Sequence, residues 1–246
     1  MLTEFMQKLA HMKAIHGADA LKRVEQMIED RPENRQDGQQ QSKWILPGLS
    51  TTPWLSPRQF DRYVPLVDCL EHHAATMRSE MLGVINRRSS GLVNYEHYLG
   101  KQDDWQAVYL FKDGKVTHSL RDEMPVTWQV FDSAIRAELC PLLECHFSIL
   151  DPGTEIKPHC DLWNFSLNMH LAIDIPAQCG IEVAGEQRQW QAGQCMLFDY
   201  SFLHRAWNHG QQQRICLLMD LWHPDVTAIE REALSYFVDS LRKLVD

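Results

Sequence analysis

Over residues 3–30, apolar side chains recur near helical spacing: Phe5, Met6, Leu9, Met12 and Ile15, then Leu21, Val24, Met27 and Ile28. The pattern predicts two helices divided at Gly17 and stopped by Pro32, with a face that packs against the main body or a second subunit. Residues 33–42 hold no apolar side chain and read as a flexible polar linker. Trp44 through Leu49 enters the folded body, and Ser56-Pro57 forms an N-cap and first-turn pair for a helix to about Ile85.

Beyond that helix the chain turns to short extended runs. Trp105 to Phe111 is followed by Lys112-Asp113-Gly114-Lys115, a hairpin signal. A helix is predicted from about Trp128 to Leu139. Strand-length runs follow at Cys145–Leu150, Leu167–Ile173, Ile181–Val183, Gln187–Trp190, Cys195–Phe198 and Arg214–Trp222. Short strands separated by turns predict an antiparallel sandwich or small barrel. A last helix, Thr227 to Leu244, closes the chain. The expected organisation is α+β, with an N-terminal helical extension and linker over 1–42 and the main domain over 43–246.

Composition narrows the function classes. Hydrophobic residues make up 44% and charged residues 23% of the 246, ordinary values for a globular protein. A formal net charge of −9 argues against nucleic acid or anionic lipid as the main partner. No stretch approaches the ~18 apolar residues of a membrane span, and the start lacks the layout of a signal peptide. Cytoplasmic location is therefore expected. Seven scattered cysteines without a C-x-x-C pair read as reduced, buried thiols.

The candidate chemistry centres on His159-Cys160-Asp161, His204 and Arg214. Residues two apart in an extended segment project to one face, so His159 and Asp161 can reach one metal ion, with Cys160 turned the other way. Two imidazoles and a carboxylate form the ligand set of non-haem Fe(II) oxygenases, which leave positions open for a co-substrate and O2. Zinc is the competing metal. Arg214 opens a buried strand, where a guanidinium needs an anion. That anion is either a protein carboxylate or the far carboxylate of 2-oxoglutarate, held bidentate. Ser148 could add a hydroxyl donor and His170 a ring donor, a satisfied core histidine being the plainer reading of the latter.

Several segments together carry a family resemblance: Phe147-Ser-Ile-Leu-Asp-Pro-Gly-Thr, Pro158-His-Cys-Asp, Met169-His-Leu, Phe198-Asp-Tyr-Ser-Phe-Leu-His, and Arg214 through Asp220-Leu-Trp-His-Pro. They resemble the aspartyl/asparaginyl β-hydroxylase family, densely over about 144–227 and more thinly back to Leu46-Pro-Gly-Leu and Pro53-Trp54. The resemblance implies a double-stranded β-helix (jelly-roll, cupin-like) core and Fe(II)- and 2-oxoglutarate-dependent dioxygenase activity, with release of succinate and CO2. It implies metal ligation by His159 and His204, and co-substrate binding by Ser148, His170 and Arg214. At Asp161 the animal peptide hydroxylases carry glycine, so the carboxylate is restored here as in other members. Where they carry arginines that bind acidic groups, this chain has Ser166 and Asn168, which speaks against an aspartyl side chain as substrate. The expected substrate is an amino acid, an aspartyl or asparaginyl residue, or alternatively a sugar acid or lipid A type molecule. A non-catalytic cupin-like metal binder is another reading, and so is a zinc hydrolase, disfavoured because no general base lies beside the ligands; His209 and His223 are the nearest spare histidines, His223 being expected to serve a structural role ahead of the final helix. Arg87, Arg88 and Arg121 could bind an acidic group, solvated surface charge being the favoured reading of each, and residues 86–128 and the loop near Trp163-Asn164 are expected to line the pocket.

Overall fold

A computed structural model describes residues 2–95, 99, 104–141 and 143–243. Twelve strands among these residues form two antiparallel sheets. They are β1 (Trp54–Leu55), β2 (Val93–Asn94), β3 (Trp105–Lys112), β4 (Lys115–Val116), β5 (Cys145–Leu150), β6 (Thr154–His159), β7 (Ser166–Asp174), β8 (Cys179–Val183), β9 (Glu186–Arg188), β10 (Cys195–Phe198), β11 (His204–Asn208) and β12 (Arg214–Trp222). The major sheet runs β1-β10-β7-β12-β5-β3-β2, with β4 beside β3; the minor sheet runs β6-β11-β8-β9. Strands that alternate between two facing sheets in this way wind a double-stranded β-helix, the fold expected from the sequence motifs.

Side-chain parity along β12 assigns the two faces of the major sheet. Ile215, Leu217, Met219 and Leu221 point outward and join Phe147, Ile149, Leu167, Met169 and Leu171 in a core covered by helices. That cover is the helix α3 (Val64–Arg87), through Leu70, Met77 and Met81, together with the helical segment Pro125–Glu138. Arg214, Cys216, Leu218 and Asp220 of β12 face the minor sheet, with Arg214, Leu218 and Asp220 reaching the barrel's cavity.

The termini close one end. Helices α1 (Leu2–His16) and α2 (Lys22–Ile28) are separated at Gly17, whose φ of 98° suits glycine, and they pack on the C-terminal helix over Ala228–Arg242. Phe5, Leu9, Val24 and Met27 meet Leu234, Phe237 and Val238 there. Arg23 fixes the arrangement, donating to both oxygens of Glu230 at 2.7 and 2.6 Å and to the Asp225 carbonyl at 2.8 Å. Glu230 also completes a capping box with Thr227 at the start of that final helix.

Four local expectations differ from the structure. Ser56-Pro57 caps only a short 3-10 turn, Pro57–Gln59, and the long helix starts later, at Val64. The predicted helix over 128–139 starts at Pro125 and widens into a π turn at Phe131–Ile135. The strand expected at Gln187–Trp190 is β9, ending at Arg188. The polar stretch 33–42 is pinned rather than loose: Gln39 and Ser42 are buried, Gln39 donates to Ser201 Oγ at 2.7 Å, and Arg35 donates to the Ser42 carbonyl at 2.7 Å. Polar side chains here satisfy backbone and side-chain groups that an apolar run would leave unpaired. The hairpin forms as expected, with Asp113 and Gly114 both at positive φ, 51° and 81°. Leu244, the expected end of the last helix, lies outside the described residues.

Candidate metal centre and co-substrate pocket

β6 and β11, which the apolar runs do not mark although the ligand spacing implies an extended segment at His159, carry two of the proposed ligands. In Thr154-Glu-Ile-Lys-Pro-His159 only one of the three inner positions is apolar, and Pro158 argues against a strand. The segment extends nonetheless because β6 is an edge of the minor sheet, where a missing N–H costs little. β11 pairs with it so that His204 stands opposite His159, and a β-bulge follows between His204 and Ala206. The two imidazole centroids lie 4.1 Å apart.

Asp161 lies just past the end of β6 rather than within it, held by its N–H donating to the Tyr200 carbonyl at 2.9 Å. Its Oδ2 is 3.5 Å from His204 Nε2. One donor atom from each of His159, Asp161 and His204 falls within 4.8 Å of the others. Cys160 is not in this group; its thiol faces the Gly38 carbonyl at 3.5 Å, although the residue touches the cavity wall.

The imidazoles are prepared as neutral donors. His159 Nδ1 lies 2.7 Å from the Lys157 carbonyl and His204 Nδ1 2.9 Å from the Phe202 carbonyl. A carbonyl only accepts, so each Nδ1 carries the proton and each Nε2 keeps its lone pair free. Burial lowers the pKa of both, that of His204 to about 3. The Asp161 carboxyl is pushed upward by burial and then by the Asp220 and Glu144 carboxylates. A cation between the three donors reverses that balance by stabilising the carboxylate, so the donor set fits a divalent metal.

Across the cavity, Arg214 is 2% exposed. Among the described residues no carboxylate lies within 4.0 Å of it, and its Nε has no hydrogen-bond partner. Its Nη1 donates to Ser148 Oγ at 3.4 Å, and its guanidinium carbon lies 5.0 Å from the Trp190 ring centroid. Ser148 Oγ also accepts from Trp105 Nε1 at 2.8 Å. With two bonds accepted, its hydroxyl hydrogen is left to donate. His170 Nδ1 accepts from Trp190 Nε1 at 3.1 Å, and burial, then Arg214, keeps the ring neutral. Its remaining proton is therefore on Nε2. Arg214, Ser148 and His170 line one cavity of about 410 Å³ with His159, Asp161 and His204.

Sequence reasoning missed Trp190 and Trp105, which position these donors, and His146, Glu144 and Asp220 farther along the wall. Parity offered a signal: His146 lies two before Ser148, and Asp220 six after Arg214. Of the segments expected to line the pocket, residues 86–128 supply Tyr95, Leu99 and Trp105 and the loop near Trp163-Asn164 supplies Leu162, while 96–98 and 100–103 lie outside the described residues. Asn164 instead brackets Leu46, accepting from its N–H and donating to its carbonyl, and Trp163 donates to the Tyr200 hydroxyl. Arg87 pairs with Glu123 and Arg121 with Asp132, and Arg88 caps α3; none of the three lines the cavity. His209 meets Glu155 and also stays outside it, and His223 is buried where its Nδ1 accepts from the Asp225 N–H.

A family model described as aspartyl/asparaginyl beta-hydroxylase matches residues 71–224, and the chain belongs to that family. The mouse protein named aspartyl/asparaginyl beta-hydroxylase is 31% identical over 196 residues, covering 79% of this chain and 26% of its own length. Aspartate beta-hydroxylase domain-containing protein 2 of Xenopus tropicalis is 31% identical, covering 82% of this chain and 55% of its own. The chain thus spans about a quarter to a half of these relatives. Among solved structures, a Pseudomonas putida prolyl-4-hydroxylase aligns over 61% of this chain and 87% of its own, with 16% identity and a TM-score of 0.39. Among the described residues no helix is long and apolar enough to cross a membrane.

Proposed function

We propose that this protein is an Fe(II)- and 2-oxoglutarate-dependent dioxygenase that hydroxylates an unactivated C–H bond. One observation supports the reading above all: three convergent metal-type donors share a cavity with a buried arginine that has no carboxylate within 4.0 Å among the described residues. His159, Asp161 and His204 would hold the iron on one side, leaving positions open toward the cavity. Arg214 would take the distal carboxylate of 2-oxoglutarate, assisted by the Ser148 hydroxyl and His170 Nε2–H. A buried guanidinium without an anion is costly, and the dicarboxylate supplies one. When bound, the iron and keto acid supply the oxidative chemistry, with one oxygen atom entering the substrate and the other succinate as CO2 leaves. The chain fixes the co-substrate, shields it from bulk water and keeps both imidazoles deprotonated at Nε2. Residues 43–246 would form the catalytic unit, with 1–42 bracing it. The seven cysteines form no disulfide among the described residues, which suits a reducing compartment, and we assign the protein to the cytoplasm.

Anaerobically purified protein should bind Fe(II) stoichiometrically and consume 2-oxoglutarate with release of succinate. His159→Ala or His204→Ala should abolish both iron retention and turnover. Near-normal turnover in either variant would refute the ligand assignment, and tight zinc binding with no use of O2 would favour a hydrolase.

A further inference from the structure

The inward face of the major sheet is polarised along its strands. Arg214 stands at one end of β12 and Asp220 near the other, about 20 Å apart at roughly 3.3 Å per residue. Beside Asp220 lies Glu144, just before β5. The two are locked together: the Glu144 N–H donates to Asp220 Oδ2 at 3.1 Å, and the Asp220 N–H donates to the Glu144 carbonyl at 3.1 Å. Asn168 Nδ2 holds the other Asp220 oxygen at 2.8 Å. Glu144 accepts from the Tyr95 hydroxyl at 3.3 Å through Oε2, while Oε1 has no partner among the described residues. No lysine or arginine nitrogen among those residues comes within 4.0 Å of either carboxylate.

A second feature points to a ligand here. His146 is 4% exposed and lines the same cavity, yet among the described residues neither ring nitrogen has a hydrogen-bond partner. Glu144 Oε2 is 3.4 Å from its Nδ1 without making a bond, and the ring stacks on Tyr95 at 5.2 Å. A buried imidazole left unsatisfied beside two carboxylates and an aromatic ring lacks what a hydrogen-bonding cation would provide.

Resting on the reading above, we infer that Glu144, Asp220 and His146 form a subsite for the ammonium group of a small amine or amino-acid substrate. An ammonium has three donors, which match Glu144 Oε1, an Asp220 lone pair and a ring nitrogen of neutral His146. Burial, followed by Asp220, pushes the Glu144 carboxyl up to about 7, and burial pushes Asp220 up to about 6. A bound cation relieves that cost. The arginine end takes the doubly negative co-substrate and the acidic end the positive substrate, so the polarity also keeps each from the other's place. At about 410 Å³ for both molecules, the cavity favours a substrate of amino-acid size.

The test uses anaerobic wild-type protein loaded with Fe(II) and 2-oxoglutarate, titrated calorimetrically with putrescine, L-lysine and L-leucine. Each is compared with its fully N-acetylated derivative, and an aspartyl peptide is included. At least one free amine should bind tenfold or more tightly than its acetylated form, and E144Q and D220N should each remove most of that preference. Equal binding of acetylated forms, preference for the acidic peptide, or no amine binding in protein that has taken up 2-oxoglutarate overturns the inference. The wild-type comparison needs no variant, so a folding defect in D220N does not blunt it. Failure to take up 2-oxoglutarate in the same samples instead defeats the oxygenase reading, and this inference with it.

Discussion

Trp190 donates its indole N–H to His170 Nδ1 at 3.1 Å, and the two rings stack at 5.9 Å. The bond leaves His170 one proton, on Nε2, and turns a buried histidine into a fixed donor. Trp190→Phe keeps most of the ring's bulk but frees the tautomer. One net hydrogen bond is worth about 1 kcal/mol, so the Kd for 2-oxoglutarate should rise about fivefold, with iron binding little changed. Isothermal titration of the anaerobic Fe(II) protein measures both.

Arg214 should resist even conservative replacement. Arg214→Lys keeps the charge and loses the two-pronged geometry, whereas Arg214→Ala removes the cation from the proposed co-substrate pocket. Losing one partner of a buried ion pair costs on the order of 2–5 kcal/mol. The alanine variant should therefore raise the 2-oxoglutarate KM by at least thirtyfold and the lysine variant by less. Succinate release measured over a range of 2-oxoglutarate concentrations checks the order; equal KM values in wild type and alanine variant would remove Arg214 from the co-substrate site.

His146 should make the metal-free protein acid-sensitive. Burial, then Arg214 and Lys112, lowers its folded pKa to about 3 from an ordinary 6.5. Below pH 6.5 the unfolded chain binds a proton that the folded chain refuses, so stability falls as pH drops from there toward about 3. At pH 5 this one residue accounts for about 2 kcal/mol. In thermal melts at pH 7 and pH 5, His146→Phe should narrow the difference between the two Tm values. A difference as wide as wild type's would show that His146 is protonated in the folded state.

Arg23 should prove the main polar tie between the N-terminal helices and the final helix. Its two bonds to a Glu230 side chain only 4% exposed mean that Arg23→Ala strands a buried carboxylate. Since Arg23 itself is 26% exposed, the loss should be at the lower end for such pairs, about 2–3 kcal/mol. Chemical denaturation should show it as a lower midpoint with an unchanged slope. Arg23→Ala combined with Glu230→Gln should recover part of the loss.

The sequence determined which residues are candidates for holding a metal and an anion. His159, Asp161, His204 and Arg214 were legible because ligand types and a buried cation are written in residue identity, and Ser148 and His170 because they share strands with strong apolar periodicity. The strands β5, β7, β8, β10 and β12 were legible for the same reason. β6 and β11 were not, because one holds a proline and charged outward positions and the other mixes His, Arg and Asn with its apolar residues. Only the tertiary structure decided which side chains converge. Inward parity is readable on a single strand, but its alignment with neighbours depends on pairing register and on the bulges at His204/Ala206 and Ile215/Cys216. That is why Asp220 and Glu144 face one cavity with Arg214 although no short motif joins them, while Trp190, beyond the end of β9, meets His170 only in the folded chain.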